Sequence, residues 1–305
     1  MKKIIISLSM LLYTVGLWAQ SESLFTHFMW NRLNYNPAYA GAKEVLDAAA
    51  IYRNQWWSGV EGHPKTLNVF AHSPFGSDLR NGVGLSLISD DIGMDKTISI
   101  GIQYAYRLRL SDKNTLAAGI GPRFETVRRD WTKANLRHPQ DVYNTGAEET
   151  LNSFNVGGGL FFTNPNFYIG LSIPRILENS LYYDENEFEK DVNVYYLQAG
   201  VIAPLGESGK VKFYPNLQLS YGPHLPFEFD INANFLFVDA IWLGATYRHE
   251  DSVDGLIQYQ FKNGLRAGLA LDFTTSELKR ATTGSWEILV GYTVPTRHIV
   301  NLRYF

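Results

Sequence analysis

The side chains best suited to chemistry in this sequence are His249, Glu250 and Asp251, with Asp254 three residues further on. A histidine beside carboxylates can bind a divalent cation or act as a general base in hydrolysis. The motifs that would supply a nucleophile elbow, a zinc protease helix or a phosphate loop are absent. A solvated polar loop is therefore the preferred interpretation, and we predict no catalytic residue, no metal site and no cofactor.

A second set of charged side chains recurs at alternate positions of apolar stretches. Its members are Arg107, Arg109, Arg123, Glu125, Glu228, Asp230, Arg248, Arg266, Asp272 and Glu287. Residues two apart lie on the same face of a β-strand, so these charges share the polar faces of strands. Both signs are present, so they can pair as a salt-bridged plug or line a pore, and we expect structural pairing.

The strand that shows this pattern most clearly runs from residue 97 to residue 110. Apolar residues from Ile98 to Leu110 occupy one face, and polar or small residues from Thr97 to Arg109 occupy the other. A period of two predicts a β-strand, and this one is long enough to cross a membrane at a tilt. Arginines suit a water-filled lumen better than a buried sheet face.

Alternation recurs along the chain, which predicts an all-β, antiparallel, up-and-down transmembrane barrel of about fourteen strands. The other candidate strands cover residues 47–55, 65–73, 81–89, 114–127, 152–163, 166–174, 192–203, 211–221, 227–237, 240–249, 253–261, 265–274 and 286–293.

The connections between these strands support the same fold. Tight turns are predicted near 111–114, 164–166, 207–209, 238–239 and 262–264, where Asn-Gly, Asn-Pro and Ser-Gly pairs favour turns. The connections between them are mostly longer, and the longest are 128–151 and 175–191; 90–96 and 250–252 are also among them. Outer-membrane barrels alternate short periplasmic turns with longer external loops, so an even strand number places both termini in the periplasm.

Composition excludes several other classes of protein. The chain has no cysteine, so disulfides and thiol chemistry are excluded. Its 27 basic residues are scattered rather than clustered, which argues against nucleic-acid binding. An aromatic content of 14% fits the aromatic girdles of a membrane barrel.

The two ends of the chain lie outside the predicted strands. Lys2, Lys3, an apolar run and Ala19 predict a signal peptide over residues 1–19; the alternative is a membrane anchor, for which the run is short. Residues 20–46 lack alternation and contain Asn, Pro and Gly, so we predict an ordered periplasmic segment. Residues 47–305 are predicted to form the barrel with a short periplasmic C-terminal tail. Alternatively, residues 298–305 are themselves the last strand, and one of the weaker candidate strands is not a strand.

Several short segments of the chain form a specific, ordered set. They include 24–29, Asn-Pro-Ala-Tyr-Ala-Gly at 36–41, Tyr-Arg-Asn-Gln-Trp at 52–56 and 62–66. Further members of the set lie at 72–74, 91–93, 104–107, 167–174 and 303–305. Together these segments resemble the PorP/SprF family, the outer-membrane proteins associated with type IX secretion in Bacteroidetes. The resemblance covers nearly the whole chain after the signal peptide.

The resemblance implies a non-enzymatic outer-membrane component that supports the export or surface anchoring of secreted proteins such as adhesins, in secretion or gliding. The implied partners are the periplasmic ring and peptidoglycan-linked proteins of the machine, the secreted cargo and the lipid bilayer, with no nucleic acid. The candidate partner-docking residues are Asn36, Pro37, Tyr39, Gly41, Arg53, Asn54, Gln55 and Trp56. We hypothesise that the periplasmic segment docks the machine and that the external loops hold cargo.

Two other functions remain open at this point. A passive porin or transporter for small solutes explains the alternation equally well. A barrel hydrolase would use His249 with Asp251 or Asp254, and it lacks a nucleophile motif.

Overall fold

The computed structural model describes residues 24–133, 148–183, 186–190, 192–223 and 225–295. The predicted signal peptide and the C-terminal tail, including the alternative strand at 298–305, lie outside these ranges. Helical structure within them is limited to α1 (Arg32–Tyr35) and the 3-10 turns Phe28–Trp30, Pro37–Tyr39, Trp131–Lys133 and Glu277–Arg280. No helix in the described part of the chain is long and apolar enough to span a membrane.

The described residues are dominated by strands. Their bounds are β1 Asp47–Asn54, β2 Lys65–Phe75, β3 Asn81–Ile92, β4 Asp95–Arg109, β5 Thr115–Asp130, β6 Glu148–Thr163, β7 Phe167–Ile173, β8 Ser180–Tyr183, β9 Asn186–Lys190, β10 Tyr195–Val201, β11 Ala203–Leu205, β12 Val211–Tyr221, β13 Glu228–Phe237, β14 Ile241–Arg248, β15 Ser252–Gln260, β16 Leu265–Thr274 and β17 Gly284–Thr293. β8 and β9 form a separate hairpin.

The remaining strands close into one antiparallel barrel. β1 pairs with both β2 and β17, and β10 pairs with both β7 and β12. The short β11 continues β10 along β12, so the two count as one wall strand. The barrel therefore has fourteen strands, and both the predicted fold and all fourteen candidate strands are confirmed.

The two faces of the wall differ as the alternation predicts. On β4 the outward side chains of Ile98 and Ile102 are 36% and 59% exposed, whereas the inward Gln103 and Arg107 are buried. The same division holds on the other wall strands, whose exposed large side chains are mostly aliphatic or aromatic. An apolar outer surface around a polar interior is stable only in a bilayer, because water would otherwise contact the whole apolar band.

The barrel has two unlike ends, which we call the turn side and the loop side. The turn side carries the connections 76–80, 110–114, 164–166, 206–210, 238–240 and 261–264, the start of β1 and the end of β17. The loop side carries 55–64, 93–94, 131–147, 174–194, 222–227, 249–251 and 275–283. The long connection predicted at 90–96 is wrong, because β3 and β4 extend to Ile92 and Asp95 and leave a two-residue turn.

A charge on the outer face should destabilise the barrel. Replacing the outward Ile102 by arginine places a guanidinium in the apolar band, and we expect a loss of about 2–4 kcal/mol in the free energy of folding into lipid vesicles. Urea titration followed by tryptophan fluorescence measures the loss. The matched control is Ser111→Arg in an exposed turn, which should change this free energy little. Equal effects of the two substitutions would contradict the assignment of faces.

Candidate functional site: a plugged lumen

Residues 24–46, which we call the plug, lie inside the barrel. Every residue from 24 to 43 is buried. Trp30 packs edge-on against Trp242 of β14, Tyr35 contacts Tyr196 of β10, and the plug also bonds to β6, β16 and β17. A segment that contacts strands on opposite sides of a closed barrel must lie within it. The predicted periplasmic location of 20–46 is therefore wrong for the described residues.

The plug runs through the lumen from the loop side to the turn side. Near its start, the carbonyl oxygen of Phe25 accepts a hydrogen bond from Arg248, the last residue of β14 at the loop side. Near its end, Glu44 pairs with Arg107, and Arg107 also donates to the carbonyl of Leu79 in a turn-side connection. The plug therefore enters β1 at Asp47 after crossing the lumen.

Glu287 of β17 anchors the loop-side end of the plug. Its carboxylate accepts hydrogen bonds from the backbone N–H groups of Thr26 (3.0 Å) and His27 (2.9 Å), and His27 Nδ1 also contacts it. Arg53 of β1 donates to the same carboxylate (3.2 Å) and to the Thr26 hydroxyl (2.9 Å). Since Glu287 and Arg53 are 0% and 1% exposed, these contacts satisfy charges that have no access to water.

Further ion pairs extend this network around the wall. Arg53 pairs with Asp272 of β16, which also accepts a hydrogen bond from the Thr26 hydroxyl at 2.7 Å. Arg248 pairs with Asp230 of β13 at 3.1 Å. Residues from β1, β13, β14, β16 and β17 are thereby connected to one end of the plug.

An arginine surrounded by tyrosines occupies the middle of the lumen. Arg32 donates to the hydroxyl of Tyr214, and its guanidinium lies 4.0 Å from the ring centroid of Tyr168 and 5.4 Å from that of Tyr39. Stacking on aromatic faces stabilises a buried guanidinium, because the ring quadrupole attracts the cation. The cation of the plug is thus held by neutral groups of β7, β12 and the plug itself.

The Asn-Pro-Ala-Tyr-Ala-Gly sequence at 36–41 packs against glycines of the wall. Asn36 caps the turn Pro37–Tyr39 by accepting from the N–H of Ala38, and its amide donates to the carbonyl of Leu160 in β6. A Cβ on Gly119 of β5 would lie 2.3 Å from the Ala38 nitrogen, and one on Gly82 of β3 would lie 2.0 Å from the Ala40 oxygen. These glycines let the plug backbone touch the wall.

Charges also fix the turn-side end of the plug. Asp47, the first residue of β1, pairs with Arg266 of β16 and with Lys43 at 3.0 Å. The plug is therefore held by charged groups at both ends.

The predicted docking residues separate into two groups. Asn36, Pro37, Tyr39 and Gly41 are enclosed in the lumen, and so is the side chain of Arg53. Asn54 ends β1 at the loop side, followed by Gln55 and Trp56, as predicted; Gln55 is buried, and Asn54 and Trp56 are half-buried. Burial removes the physical basis for docking through the first group, whereas a contact through Asn54 or Trp56 stays a prediction.

The predicted pairing of lumen charges is confirmed for eight of the ten residues. Arg107, Asp230, Arg248, Arg266, Asp272 and Glu287 form the ion pairs above, Arg109 lies 4.0 Å from Glu44, and Glu125 lies 3.9 Å from Arg175. Arg123 donates to the Asn34 carbonyl, and Glu228 accepts from Ser220.

The histidine group does not assemble into a site among the described residues. His249 stacks on Phe229 and lies 3.8 Å from Glu250, whereas Asp251 pairs with Arg248. Asp254 faces the lumen from β15 and accepts from Ser252. No cluster of three metal-ligating side chains occurs within the described ranges.

Sequence reasoning missed Lys43, Thr26, His27 and Arg32 as lumen residues. Period-two alternation identifies the residues of the barrel wall and carries no information about a plug. The only feature of the sequence that pointed to these residues was the high density of polar and aromatic residues in a segment without alternation.

Comparison with known proteins identifies the family. The family profile described as "Type IX secretion system membrane protein PorP/SprF" matches residues 17–292. The chain belongs to the PorP/SprF family. The predicted resemblance is thus confirmed, and the plug, which lies within the matched range, is part of the family region. No curated protein sequence matches the chain.

Solved structures show the same fold at low sequence identity. The CymD monoaromatic hydrocarbon channel matches at 12% identity, with a TM-score of 0.55, over 93% of this chain and 95% of that chain. The outer membrane protein Omp33 of Acinetobacter baumannii matches at 8% identity, with a TM-score of 0.49, over 83% and 99%. The likeness to CymD supports an outer-membrane barrel fold for this PorP/SprF protein, and it supports no statement about its function.

Filling the space beside a wall glycine should loosen the plug. We expect Gly119→Ala to cost about 1–3 kcal/mol, because its Cβ would overlap the backbone of Ala38. The chain lacks cysteine, so Asn34→Cys in the plug gives a single reporter whose maleimide labelling should accelerate in the Gly119→Ala background. Gly255→Ala, where the added Cβ meets nothing within 4 Å, is the matched control. Unchanged labelling would show that the close approach does not hold the plug.

Removing the Glu287 carboxylate should weaken the plug more strongly. Glu287→Ala leaves two backbone N–H groups without their acceptor and removes one of the two carboxylates that pair with Arg53, and we expect a loss of about 3–5 kcal/mol. Urea unfolding in detergent measures it, with the exposed Glu277→Ala as the control. A loss no larger than that of the control would mean that the buried carboxylate does not stabilise the plug.

Proposed function

We propose that this PorP/SprF protein is a non-enzymatic component of the type IX secretion or gliding machinery that supports the export or surface anchoring of proteins such as adhesins. Its membership of the PorP/SprF family and its barrel fold support this role and a location in the outer membrane. The observation that carries the proposal is the filled lumen. A barrel whose interior is occupied by its own chain is suited to act as a rigid membrane platform for partners.

The passive porin is disfavoured by the same observation. An open pore needs a water-filled path, but the plug contacts strands around the wall. It is held by hydrogen bonds to Glu287 and Asp272 at the loop-side end and by ion pairs at the turn-side end. The channel function printed for CymD belongs to that protein, since 12% identity indicates the fold alone.

The positions of exposed segments suggest how partners divide between the two ends. The proposed periplasmic partners, the ring and the peptidoglycan-linked proteins, would contact the turn side through exposed connections such as 76–78 and 206–208. Cargo would contact the loop side, where Trp57 is 54% exposed next to Asn54 and Trp56. This arrangement replaces the idea that the segment now seen as the plug docks the machine.

Conductance separates the platform from the porin. The purified full-length protein in planar lipid bilayers should show no steady open pore, because the plug blocks the lumen. The Gly119→Ala variant should show more frequent openings than Gly255→Ala. A large, constant conductance of the unmodified protein would favour the porin and contradict the platform.

Secretion tests the proposed role directly. Deleting the gene should remove a subset of exported proteins from the medium and the cell surface, as measured by quantitative mass spectrometry, and the unmodified gene should restore them. His249→Ala should restore them equally well, since no catalytic role is proposed. An unchanged set of exported proteins in the deletion strain would contradict the secretion role.

A further inference from the structure

A row of charged residues crosses the outer face of the barrel near the loop side. Lys65 of β2, Asp91 of β3, Lys96 of β4 and Arg128 of β5 are direct neighbours across successive strand pairs. All four side chains are exposed. They lie on the same outward face of β2–β5 as the apolar residues Leu67, Leu87, Ile98 and Phe124. The charged row lies closer to the loop side than these apolar residues, at the edge of the apolar band.

The cations of this row lie close together. Lys96 and Arg128 are opposite each other in the antiparallel pair of β4 and β5. Like charges in that position repel, which disfavours the pair unless an anion lies between them. No described carboxylate forms an ion pair with Lys65, Lys96 or Arg128 within 4.0 Å, although Asp91 is the cross-strand neighbour of both lysines.

The row is confined to one side of the barrel. On six of the remaining wall strands, β10, β12, β13, β14, β16 and β17, outward aromatic residues lie near the loop side. They are Trp286, Phe273, Tyr247, Phe229, Tyr221 and Tyr195. Aromatic side chains at this level are the usual anchors at the membrane interface. The cations therefore replace the aromatic girdle over β2–β5.

We propose that Lys65, Lys96 and Arg128 form a binding site for the phosphate groups of lipid A, the phosphorylated glycolipid of the outer leaflet. The cations lie where the strands pass from acyl chains to head groups, so a ligand there needs phosphate beside hydrocarbon chains. The exposed Ile98, Ile100 and Leu67 below them offer the surface for those chains. The longer connections at this end place it outside the cell.

The site goes beyond the proposed secretion role, because it concerns the lipid that surrounds the barrel. Guanidinium and ammonium groups bind phosphate through charge-assisted hydrogen bonds, and an arginine adds a bidentate geometry. Asp91 weakens the site by repelling the phosphate, so its removal should strengthen binding. The arrangement therefore predicts that removing a cation lowers the affinity for phosphate, whereas removing the neighbouring Asp91 carboxylate raises it.

Binding is measured on the full-length protein in nanodiscs of zwitterionic lipid, with lipid A added and the bound lipid counted by native mass spectrometry. We expect Lys96→Gln with Arg128→Gln to weaken lipid A binding at least tenfold, Lys65→Gln to weaken it less, and Asp91→Asn to strengthen it. The matched control is Lys113→Gln with Lys210→Gln, which removes two exposed lysines near the turn side. Heat-dependent electrophoretic mobility verifies that each variant is folded.

Competitors identify the part of the lipid that is recognised. Dephosphorylated lipid A should bind the unmodified protein as weakly as lipid A binds the variant with Lys96→Gln and Arg128→Gln. Inorganic phosphate at millimolar concentration should not displace lipid A from the unmodified protein. Unchanged binding by the Lys96 and Arg128 variant would overturn the site, as would an equal loss in the Lys113 and Lys210 control. Equal affinity for phosphatidylglycerol would overturn its assignment to lipid A. A change in secretion is not needed for any of these results, so the site and the secretion role are tested separately.

Discussion

The contact between the Glu287 carboxylate, Arg53 and the backbone of Thr26 and His27 is the interaction on which this structure most depends. Inward polar groups of a barrel are satisfied either by water in an open lumen or by one another, and here the plug fills the lumen. The charges of β1, β13, β14, β16 and β17 pair across the wall, and the plug adds contacts from Phe25, Thr26 and His27 to these pairs. Plug and wall are therefore one folding unit, joined across the seam where the first and last strands pair.

Shape adds a second constraint to this charge pairing. Glycines on β3 and β5 let the backbone at 36–41 approach the wall closely, and the Asn36 cap holds the turn that presents Ala38 to Gly119. A rigid turn is needed here, because the space left by a missing Cβ accommodates only one backbone path. Pro37, which fixes its own φ, reduces the entropy lost when that path is adopted.

A filled lumen changes where function can reside in a PorP/SprF protein. With its interior occupied, the barrel offers partners only its two ends and its lipid-facing wall. The ends differ in the length of their connections, and the wall differs between an aromatic side and a charged side. The protein thus has separate surfaces at its two ends and on its lipid-facing wall.

The sequence by itself determined the wall. Alternation from Ile98 to Leu110, and its recurrence, specified fourteen strands and their faces, because a period of two follows directly from strand geometry. Family-like segments such as Asn-Pro-Ala-Tyr-Ala-Gly specified the family. Only the tertiary structure decided that this motif lies in the lumen. Polar and aromatic residues with turn signals are equally compatible with a solvated loop and with a plug. The choice depends on partners such as Glu287 and Gly119, which are distant in sequence and become neighbours of the plug only when the barrel closes.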